Sequence, residues 1–357
     1  MEALFDQTQL SGMKMKNRFV RSATHDGRAD EMGHVTPELI SQYEELAKGG
    51  VGTIITGLAS VTDIEKIVPR QMGIYNDSFI PEYKSLTDIV HQHNANIIVQ
   101  LVCNGAQNTS KAEGVLWAPS VFENEPSVAR AKEMTKVDIA LMKDAFVAAA
   151  VRSKKAGFDG VQLHVAHGYL LSRFLTPYYN RRTDEYGGSL ANRARVILEI
   201  SQNIREAVGE DYPVLVKINS EDFMDEQGFT FEECKVLCKS LQDVGISAIE
   251  VSGGSRLSRP KEGAIRPVKQ DTESYFKQYA IELAEELDIP IISVGGHRNF
   301  DKLSEIVSQT KIEYISLSRP FVREKELINR WESGDKAPAK CISCSKCLHL
   351  VTRCIFN

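Results

Sequence analysis

The sequence predicts a single (β/α)8 barrel. Eight short, continuously apolar segments rich in β-branched residues alternate with eight amphipathic helical patterns along the chain. Strands that are apolar on both faces are typical of a parallel sheet covered on both sides. Eight strand–helix units in about 315 residues favour a closed barrel. A doubly wound open sheet is the alternative, but it would be unusually large, and no linker divides the chain.

The predicted elements alternate strictly from the N-terminus onwards. Strands are expected near Phe19–Ala23, Val51–Thr56, Asn96–Leu101, Gly160–His164, Pro213–Asn219, Ala248–Val251, Pro290–Val294 and Tyr314–Leu317. Helices are expected at Pro37–Lys48, Pro81–His93, Val137–Ala156, Leu190–Val208, Phe231–Asp243, Ser274–Leu287, Phe300–Gln309 and Glu324–Ser333. Glycine follows several of these helices, as at Gly49, Gly157 and Gly209, which is a common way for a helix to end.

Composition excludes several classes of protein. The chain has 357 residues, of which 42% are hydrophobic and 25% charged, as in globular rather than disordered proteins. A net charge of −5 argues against a protein that coats nucleic acid or an anionic membrane. No run of about 18 apolar residues and no basic, apolar N-terminus is present, so we expect neither a membrane span nor a secretory signal. Seven cysteines in such a chain indicate a reduced, cytoplasmic setting.

Three segments lie outside the strand–helix repeat. Met1–Arg18 precedes the first strand and is expected to form a hairpin that plugs the barrel floor. Cys103–Thr135 is a long connection after the third strand, and loops of this length are often functional lids. A polar hinge at Gly334–Ala339 leads into a cysteine-rich tail. The predicted domains are therefore the barrel, 1–333, and the tail, 334–357.

Polar residues gather where the predicted strands end, and barrel enzymes place their chemistry at that face. The candidate site residues are Ala23, Thr24, Gln100, His164, His167, Tyr169, Lys217, Gly295, Gly296 and Arg319. Lys217 interrupts the apolar run 214–218, and a lysine inside a strand is rarely structural without a partner. Gln100 alone could equally satisfy buried backbone groups. Together these groups suit an electron-poor, partly anionic ligand.

The last two predicted strands are followed by groups that could bind phosphate. Gly295 and Gly296 offer main-chain amides that phosphate oxygens can approach, and Arg319 can bind such oxygens through two donors. Barrels often build a phosphate site from the loops after these two strands. The alternatives are a tight turn at the glycine pair and a surface ion pair at Arg319.

The hexapeptide His164-Val-Ala-His167-Gly-Tyr169 is the most informative segment. The two histidines could bind a metal, but no third ligand stands at a suitable spacing nearby. As neutral imidazoles they could donate hydrogen bonds to one carbonyl oxygen, and the Tyr169 phenol could deliver a proton. Two buried histidines that only satisfy backbone groups are the structural alternative.

Several longer segments carry a resemblance to a known family. They are the hexapeptide 164–169, Phe174-Leu-Thr-Pro177, the run 180–188, Asn192-Arg193, Lys16-Asn17-Arg18, Ala118-Pro119-Ser120 and Ser316-Leu-Ser-Arg319-Pro320. In these segments the chain strongly resembles the Old Yellow Enzyme family of FMN-dependent oxidoreductases, over nearly its whole length. The cysteine tail makes it most similar to the branch that contains 2,4-dienoyl-CoA reductase and trimethylamine dehydrogenase.

The resemblance implies roles for the candidate residues. Ala23 and Thr24 would lie against the flavin, and Gln100 would hydrogen-bond its pyrimidine edge. Lys217 stands where the family usually has arginine and would stabilise the anionic reduced flavin. The FMN phosphate would be held by Gly295, Gly296 and Arg319.

The resemblance also implies the chemistry at the substrate. His164 and His167 would bind the substrate carbonyl oxygen and stabilise the developing enolate. Hydride would pass from flavin N5 to the β-carbon, and Tyr169 would protonate the α-carbon.

The sequence departs from the family pattern at one wall of the expected pocket and in its length. Many relatives have Leu-x-His-x-Gly-Arg after the strand-three glutamine, whereas this chain has Leu101–Ala106 without the histidine and arginine. The long relatives continue into nucleotide-binding domains, whereas this sequence stops at Asn357. Any NAD(P)H is therefore expected to bind over the flavin in the same pocket.

The tail has the spacing Cys341-x2-Cys344-x2-Cys347-x6-Cys354, with a shorter final gap than in the iron–sulfur relatives. Four thiolates suit a [4Fe-4S] cluster, because one loop can present three of them to three corners. They also suit structural zinc, for which His349 offers another ligand. A site that has lost its metal is the third alternative.

We therefore expect an enzyme in which NAD(P)H reduces bound FMN. The reduced FMN then reduces the C=C bond of an α,β-unsaturated carbonyl compound, a class that includes conjugated thioesters. The alternatives are a flavin and iron–sulfur dehydrogenase that passes electrons to a protein partner, and a barrel that binds a ligand without turnover. We expect a small-molecule substrate and neither nucleic acid nor membrane as a partner.

Overall fold

The predicted strands form a closed barrel. The computed structural model describes residues 3–64, 68–107, 115–121, 131–347 and 351–356. The strands are β1 (Thr8–Leu10), β2 (Met13–Met15), β3 (Phe19–Arg21), β4 (Thr53–Ser60), β5 (Met72–Gly73), β6 (Asn96–Val102), β7 (Leu116–Ala118), β8 (Ala131–Glu133), β9 (Gly160–Val165), β10 (Val214–Asn219), β11 (Ala248–Ser252), β12 (Ile291–Ser293) and β13 (Tyr314–Leu317).

Eight of these strands make the barrel wall. Strands β3, β4, β6, β9, β10, β11, β12 and β13 pair in parallel with their neighbours in chain order. Pairing of β13 with β3 and of β3 with β4 closes the ring. The prediction of a (β/α)8 barrel is confirmed, and the open-sheet alternative is wrong.

Helices connect the strands on the outside of the barrel. They are α1 (Pro37–Lys48), α2 (Phe79–His91), α3 (Lys136–Lys155), α4 (Leu170–Leu175), α5 (Leu190–Val208), α6 (Phe231–Asp243), α7 (Lys277–Glu286), α8 (Phe300–Gln309), α9 (Arg319–Arg323) and α10 (Leu327–Glu332). Side-chain caps fix several starts: Thr135 and Asp138 form a capping box at α3, and Thr230 and Glu233 form one at α6. Large apolar side chains such as Trp331 and Phe146 fill the layer between helices and strands.

Two helix predictions need correction. The helix expected at Glu324–Ser333 begins only at Leu327, as α10, and Glu324, which follows the unpredicted α9, has a non-helical backbone with φ −148° and ψ 88°. The helix expected from Ser274 begins only at Lys277, since Ser274 has a left-handed φ of 60°. Helix α4 and the small β7–β8 sheet are not foreseen from the sequence.

The N-terminal segment closes the barrel floor, as predicted. Strands β1 and β2 form an antiparallel hairpin. Its side chains Leu10, Met13 and Met15 pack into one cluster with inward-facing residues of seven barrel strands, namely Val20, Ile55, Ile98, Leu215, Ala248, Ile292 and Tyr314. This apolar layer seals the bottom of the barrel and leaves only the opposite end open.

A polar layer lies directly above this apolar floor. In the strand register Lys217 of β10 is opposite His164 of β9 on one side and Glu250 of β11 on the other. Gln162 of β9 is opposite Gln100 of β6. All five side chains are buried. Because side chains alternate along a strand, these residues point inward with the apolar floor residues one layer below.

The tail packs against the barrel mouth. The Ala339 N–H donates to the Arg298 carbonyl at 2.9 Å, and the Thr352 N–H donates to the Asp26 carbonyl at 3.1 Å.

The division of the chain into a barrel and a tail after residue 333 stays a prediction. Much of the predicted lid Cys103–Thr135 lies outside the described residues. Within the described ranges, every helix is too short or too polar to cross a bilayer.

Candidate active site

The open end of the barrel holds a cavity of about 500 Å³. Its lining includes all ten candidate residues, which are Ala23, Thr24, Gln100, His164, His167, Tyr169, Lys217, Gly295, Gly296 and Arg319. The volume lies in the range of cofactor and ligand pockets, and such a pocket with a few convergent polar groups is the default binding site of a protein. The structure therefore brings together residues that are almost 300 positions apart in the sequence.

Two histidines and a tyrosine form one wall of this cavity. The His164 and His167 rings are perpendicular with centroids 5.2 Å apart, and the Tyr169 ring lies 4.5 Å from the His164 ring. His167 adopts a left-handed backbone with φ 62°, and its N–H donates to Asn219 Oδ1 at 3.1 Å. His167 Nε2 lies 2.8 Å from Ser252 Oγ. The unusual backbone at His167 is thus held in place by side chains of β10 and β11.

Burial keeps both imidazoles neutral. It lowers the pKa of His167 to about 3, with the Lys217 ammonium adding to the effect. Burial also lowers the pKa of His164 well below its usual value, helped by His167 and Lys217. The pKa of the Tyr169 phenol is raised by burial, although the nearby Arg256 guanidinium opposes the shift. Near neutral pH all three groups are therefore uncharged, and each can donate a hydrogen bond.

One atom in this wall lacks a protein partner. His164 Nδ1 is fully buried and makes no hydrogen bond to any described residue. A buried polar atom without a partner costs free energy unless a ligand or water satisfies it. His164 lines a cavity of ligand size, so the site fits a bound molecule that offers a polar group beside this ring.

The cavity floor is built around a buried charge pair, of which Lys217 was predicted from the sequence and its partner was not. Lys217 Nζ donates to Ser22 Oγ at 2.8 Å and lies 3.4 Å from Glu250 Oε1. Glu250 is completely buried. Its pKa is raised by burial, but Lys217 and three hydrogen-bond donors outweigh this, so the pKa falls below the usual value. A carboxylate inside the apolar run 248–251 was the available sequence signal for this partner.

A glycine cradle forms the opposite end of the cavity. Gly295 and Gly296 have φ of 118° and 78°, which side-chain-bearing residues rarely adopt. A Cβ on Gly296 would come within 2.8 Å of the Tyr275 ring, and one on Gly295 within 2.7 Å of the Phe276 ring. Only bare backbone fits here, and it leaves main-chain amides beside the cavity.

Arg319 joins this end of the cavity to the tail. Its Nη1 donates to the Arg266 carbonyl at 3.0 Å and to Ser345 Oγ at 2.9 Å. Arg319 is therefore buried beside the glycine cradle rather than engaged in a surface ion pair, and that alternative is wrong. Thr24 Oγ1 lies 2.8 Å from Ser318 Oγ and 3.0 Å from the Ser22 carbonyl, which places its hydroxyl at the same rim.

The run 180–188, which carries part of the family resemblance, mainly builds the scaffold beside the cavity. Asn180 Nδ2 donates to the Phe174 carbonyl at 2.7 Å and to the Tyr186 carbonyl at 2.8 Å. Arg182 Nη1 donates to the Pro119 carbonyl at 2.9 Å. These bonds order the chain that follows β9 and pin it to the Ala118–Ser120 segment. His297, which is not among the ten candidate residues, is buried on the cavity lining, where Ser274 Oγ lies 2.8 Å from its Nδ1.

The four tail cysteines all border a second, smaller cavity. Cys347 is buried, Cys341 and Cys354 are half-buried, and Cys344 is exposed. In the part of the chain that the structure describes, no three metal-binding side chains lie close enough together to hold an ion. His349, the predicted alternative ligand, lies outside the described residues.

A parallel barrel with a polar cavity at its open end is found in many classes of enzyme, so comparison with known proteins is needed to identify the class. The sequence model of the NADH:flavin oxidoreductase / NADH oxidase family matches residues 3–337. The chain belongs to this family. The predicted family and its cofactors, FMN and NAD(P)H, are thereby confirmed.

The chain is similar over most of its length to several known proteins. It is 34% identical to an NADH oxidase of Thermoanaerobacter brockii over 96% of this chain and 52% of that protein. It is 32% identical to an NADPH dehydrogenase of Geobacillus sp. (strain WCH70) over 90% of this chain and 91% of the relative. The fold is similar to that of a 2-naphthoyl-CoA reductase solved with 2-naphthoyl-CoA, with a TM-score of 0.88, 27% identity, and coverage of 95% and 54%. The chain thus spans about half the length of several relatives that it matches.

The glycine cradle yields a stability prediction. Gly296→Ala should lower the free energy of unfolding by roughly 1–3 kcal/mol more than Gly334→Ala, measured by urea denaturation. Both glycines have a left-handed φ, but only the Gly296 Cβ would meet a ring, since nothing lies within 4 Å of a Cβ on Gly334. Equal losses in the two variants would show that the Tyr275 contact does not require glycine.

Proposed function

We propose that this chain is an FMN-dependent reductase of C=C bonds conjugated to a carbonyl, with NAD(P)H as the reductant. The observation that carries the proposal is the shared cavity, which neutral His164 and His167 and the Tyr169 phenol line together with a glycine cradle and a buried lysine. Hydrogen-bond donors without charge suit a carbonyl oxygen, and a phenol beside them suits proton delivery.

The residues present fit FMN in this cavity. Gly295, Gly296 and Arg319 would hold the phosphate, because bare amides and a guanidinium both favour anions. Gln100 and Lys217 would bind the pyrimidine edge, and Ala23 and Thr24 would lie against the ring. Lysine keeps the positive charge that the family usually has at this point but offers a single point of contact rather than a planar fork.

The histidine pair would activate the substrate. Bound FMN would supply the hydride that the β-carbon accepts. His164 and His167 would each donate a hydrogen bond to the carbonyl oxygen, which makes the β-carbon more electrophilic and stabilises negative charge on that oxygen. Tyr169 Oη would release its proton to the α-carbon. The buried wall would exclude water and keep these donors aimed at one point.

Conjugated thioesters are the substrate class we favour within this proposal. The supporting observation is the similarity in fold to a 2-naphthoyl-CoA reductase. The alternative function, a dehydrogenase that passes electrons to a protein partner, is favoured by one feature, the four cysteines around a cavity that Arg319 also borders. A cytoplasmic setting stays a prediction.

Separating the two half-reactions tests the proposal. Under anaerobic conditions NADPH or NADH should bleach the flavin absorbance, and 2-cyclohexenone should restore it, whereas cyclohexene should not. In Tyr169→Phe the reoxidation by enone should slow by roughly 100-fold or more, while reduction by NAD(P)H stays within about threefold of wild type, because the phenol acts only in proton delivery. Stopped-flow absorbance measures both rates. If reoxidation by the enone is unchanged in Tyr169→Phe, the proton-donor role is wrong.

The neutral state of His167 predicts a simple pH profile. Because burial lowers the pKa of His167 to about 3, the imidazole takes up a proton only below that value. The rate of enone-dependent reoxidation should therefore show no inflection from this residue between about pH 5 and about pH 8. An inflection near pH 6.5 that is absent from His167→Asn would contradict the neutral donor.

The tail yields a prediction about metal content. The donor set of Cys341, Cys344, Cys347 and Cys354 suits a [4Fe-4S] cluster, so anaerobically purified protein should contain about four iron and four labile sulfide per chain. Cys347→Ser should lose both while retaining FMN, because the cysteines lie outside the main cavity. One zinc per chain would favour the structural alternative, and protein without either metal would favour an empty tail.

A further inference from the structure

Glu250 stands at one end of a chain of buried hydrogen bonds that reaches the main cavity. Gln162 Nε2 donates to Glu250 Oε2 at 2.9 Å. Gln100 Nε2 in turn donates to Gln162 Oε1 at 2.8 Å. Gln162 and Glu250 themselves are absent from the cavity lining, whereas Gln100 is part of it. Glu250 therefore contacts the neighbours of a cavity ligand rather than the ligand itself.

The direction of every bond in this chain follows from the carboxylate. An ionised carboxylate only accepts hydrogen bonds, so Gln162 must turn its NH2 group toward Glu250 and its carbonyl toward Gln100. Gln100 must then turn its NH2 group toward Gln162. The Gln100 carbonyl oxygen is left as the acceptor that this side chain offers to a cavity ligand.

The other carboxylate oxygen fixes the lysine. Glu250 Oε1 accepts from Ser22 Oγ at 2.7 Å and from Ser316 Oγ at 2.8 Å. Since the Ser22 hydroxyl hydrogen is used in that bond, Ser22 Oγ acts as the acceptor for Lys217 Nζ at 2.8 Å. The same carboxylate thus holds the ammonium in place and balances its charge within a fully buried layer.

We propose that Glu250 is a positioning residue for the flavin: it aims the Gln100 carbonyl and the Lys217 ammonium at the pyrimidine edge. That edge has one N–H donor flanked by two carbonyl acceptors, so it needs an acceptor from the protein at the N–H and a donor or cation beside it. Glu250, Gln162 and Ser22 impose this pattern before any ligand enters. The inference rests on the proposed function in requiring FMN in the cavity.

Replacing the Glu250 carboxylate by an amide should reverse the direction of the hydrogen bonds between Glu250, Gln162 and Gln100. In Glu250→Gln the side-chain oxygen would still accept from Ser22 and Ser316, so the new NH2 group would face Gln162. Gln162 would then turn its carbonyl toward position 250 and its NH2 toward Gln100, and Gln100 would present NH2 instead of a carbonyl to the cavity. In the double variant Glu250→Gln/Gln162→Glu, the carboxylate at 162 accepts from both neighbours, so Gln100 regains its original orientation.

Binding of FMN to these variants tests the inference. We expect Glu250→Gln to raise the FMN dissociation constant roughly tenfold, because a hydrogen bond to the ring is replaced by two facing donors. The double variant should restore the wild-type constant to within about threefold. Quenching of FMN fluorescence measures the constants. Infrared difference spectra of FMN labelled with 13C at C2 and C4 should show wild-type carbonyl bands in the double variant and shifted bands in Glu250→Gln.

Controls separate orientation from general damage. Glu313→Gln removes a half-buried carboxylate at the barrel floor, next to β13, and should leave FMN binding unchanged. Should Glu250→Gln fail to fold, Gln162→Met cuts the chain between Glu250 and Gln100, retains the charge pair, and should weaken FMN binding by a similar roughly tenfold factor.

The outcomes distinguish the inference from the proposed function. If wild-type protein does not bind FMN, the proposed function fails. If wild type binds FMN and both Glu250→Gln and Gln162→Met bind it equally well, the positioning role of Glu250 fails alone. A double variant that binds as weakly as Glu250→Gln would show that a charge at position 250 itself, and not the direction of the hydrogen bonds, matters, and would also overturn the inference.

Discussion

A carboxylate with no exposed surface lies at the centre of this barrel. Moving an ion out of water costs several kcal/mol even after the protein relaxes, so Glu250 can stay ionised only because Lys217 and three donors surround it. Removing one member of such a pair typically costs about 3–5 kcal/mol, since the other charge is left buried alone. The arrangement of the inner residues of β9, β10, β11 and β13 follows from this requirement.

The barrel supplies the geometry that the charge pair needs. The hairpin plug fills the floor with apolar side chains, so water cannot reach the polar layer from below. Parallel register sets Lys217 beside Glu250 on one side and beside His164 on the other. The lysine therefore acts on both ends of the site: it neutralises the buried carboxylate and helps to keep the histidines uncharged. Fold stability and the electrostatics of the cavity depend on the same few residues.

Sequence periodicity was sufficient for the barrel and for most of the cavity. Apolar strands and amphipathic helices determine the alternation, and the rule that chemistry lies at the strand ends identified ten lining residues, His164, Lys217 and Arg319 among them. Gln162 and Glu250 were not predicted. Glu250 interrupts an apolar run just as Lys217 does, but neither it nor Gln162 lies at a strand end, and only the strand register shows that they contact Lys217 and Gln100. The non-helical backbone at Glu324 and the left-handed backbone at Ser274 were also not predicted, since both depend on tertiary contacts rather than on local propensity.

Arg319 gives the tail a part in the architecture of the main cavity. One guanidinium nitrogen is bonded to Ser345 of the tail and to the Arg266 carbonyl, while the same side chain borders both cavities. Shortening the chain before Ser343 would thus remove a brace from the end wall of the larger cavity and leave the hydrophobic core whole. Such a molecule would still fold as a barrel but would hold an anionic ligand less firmly. Retention of the prosthetic group would thus depend on the tail, through its contact with Arg319.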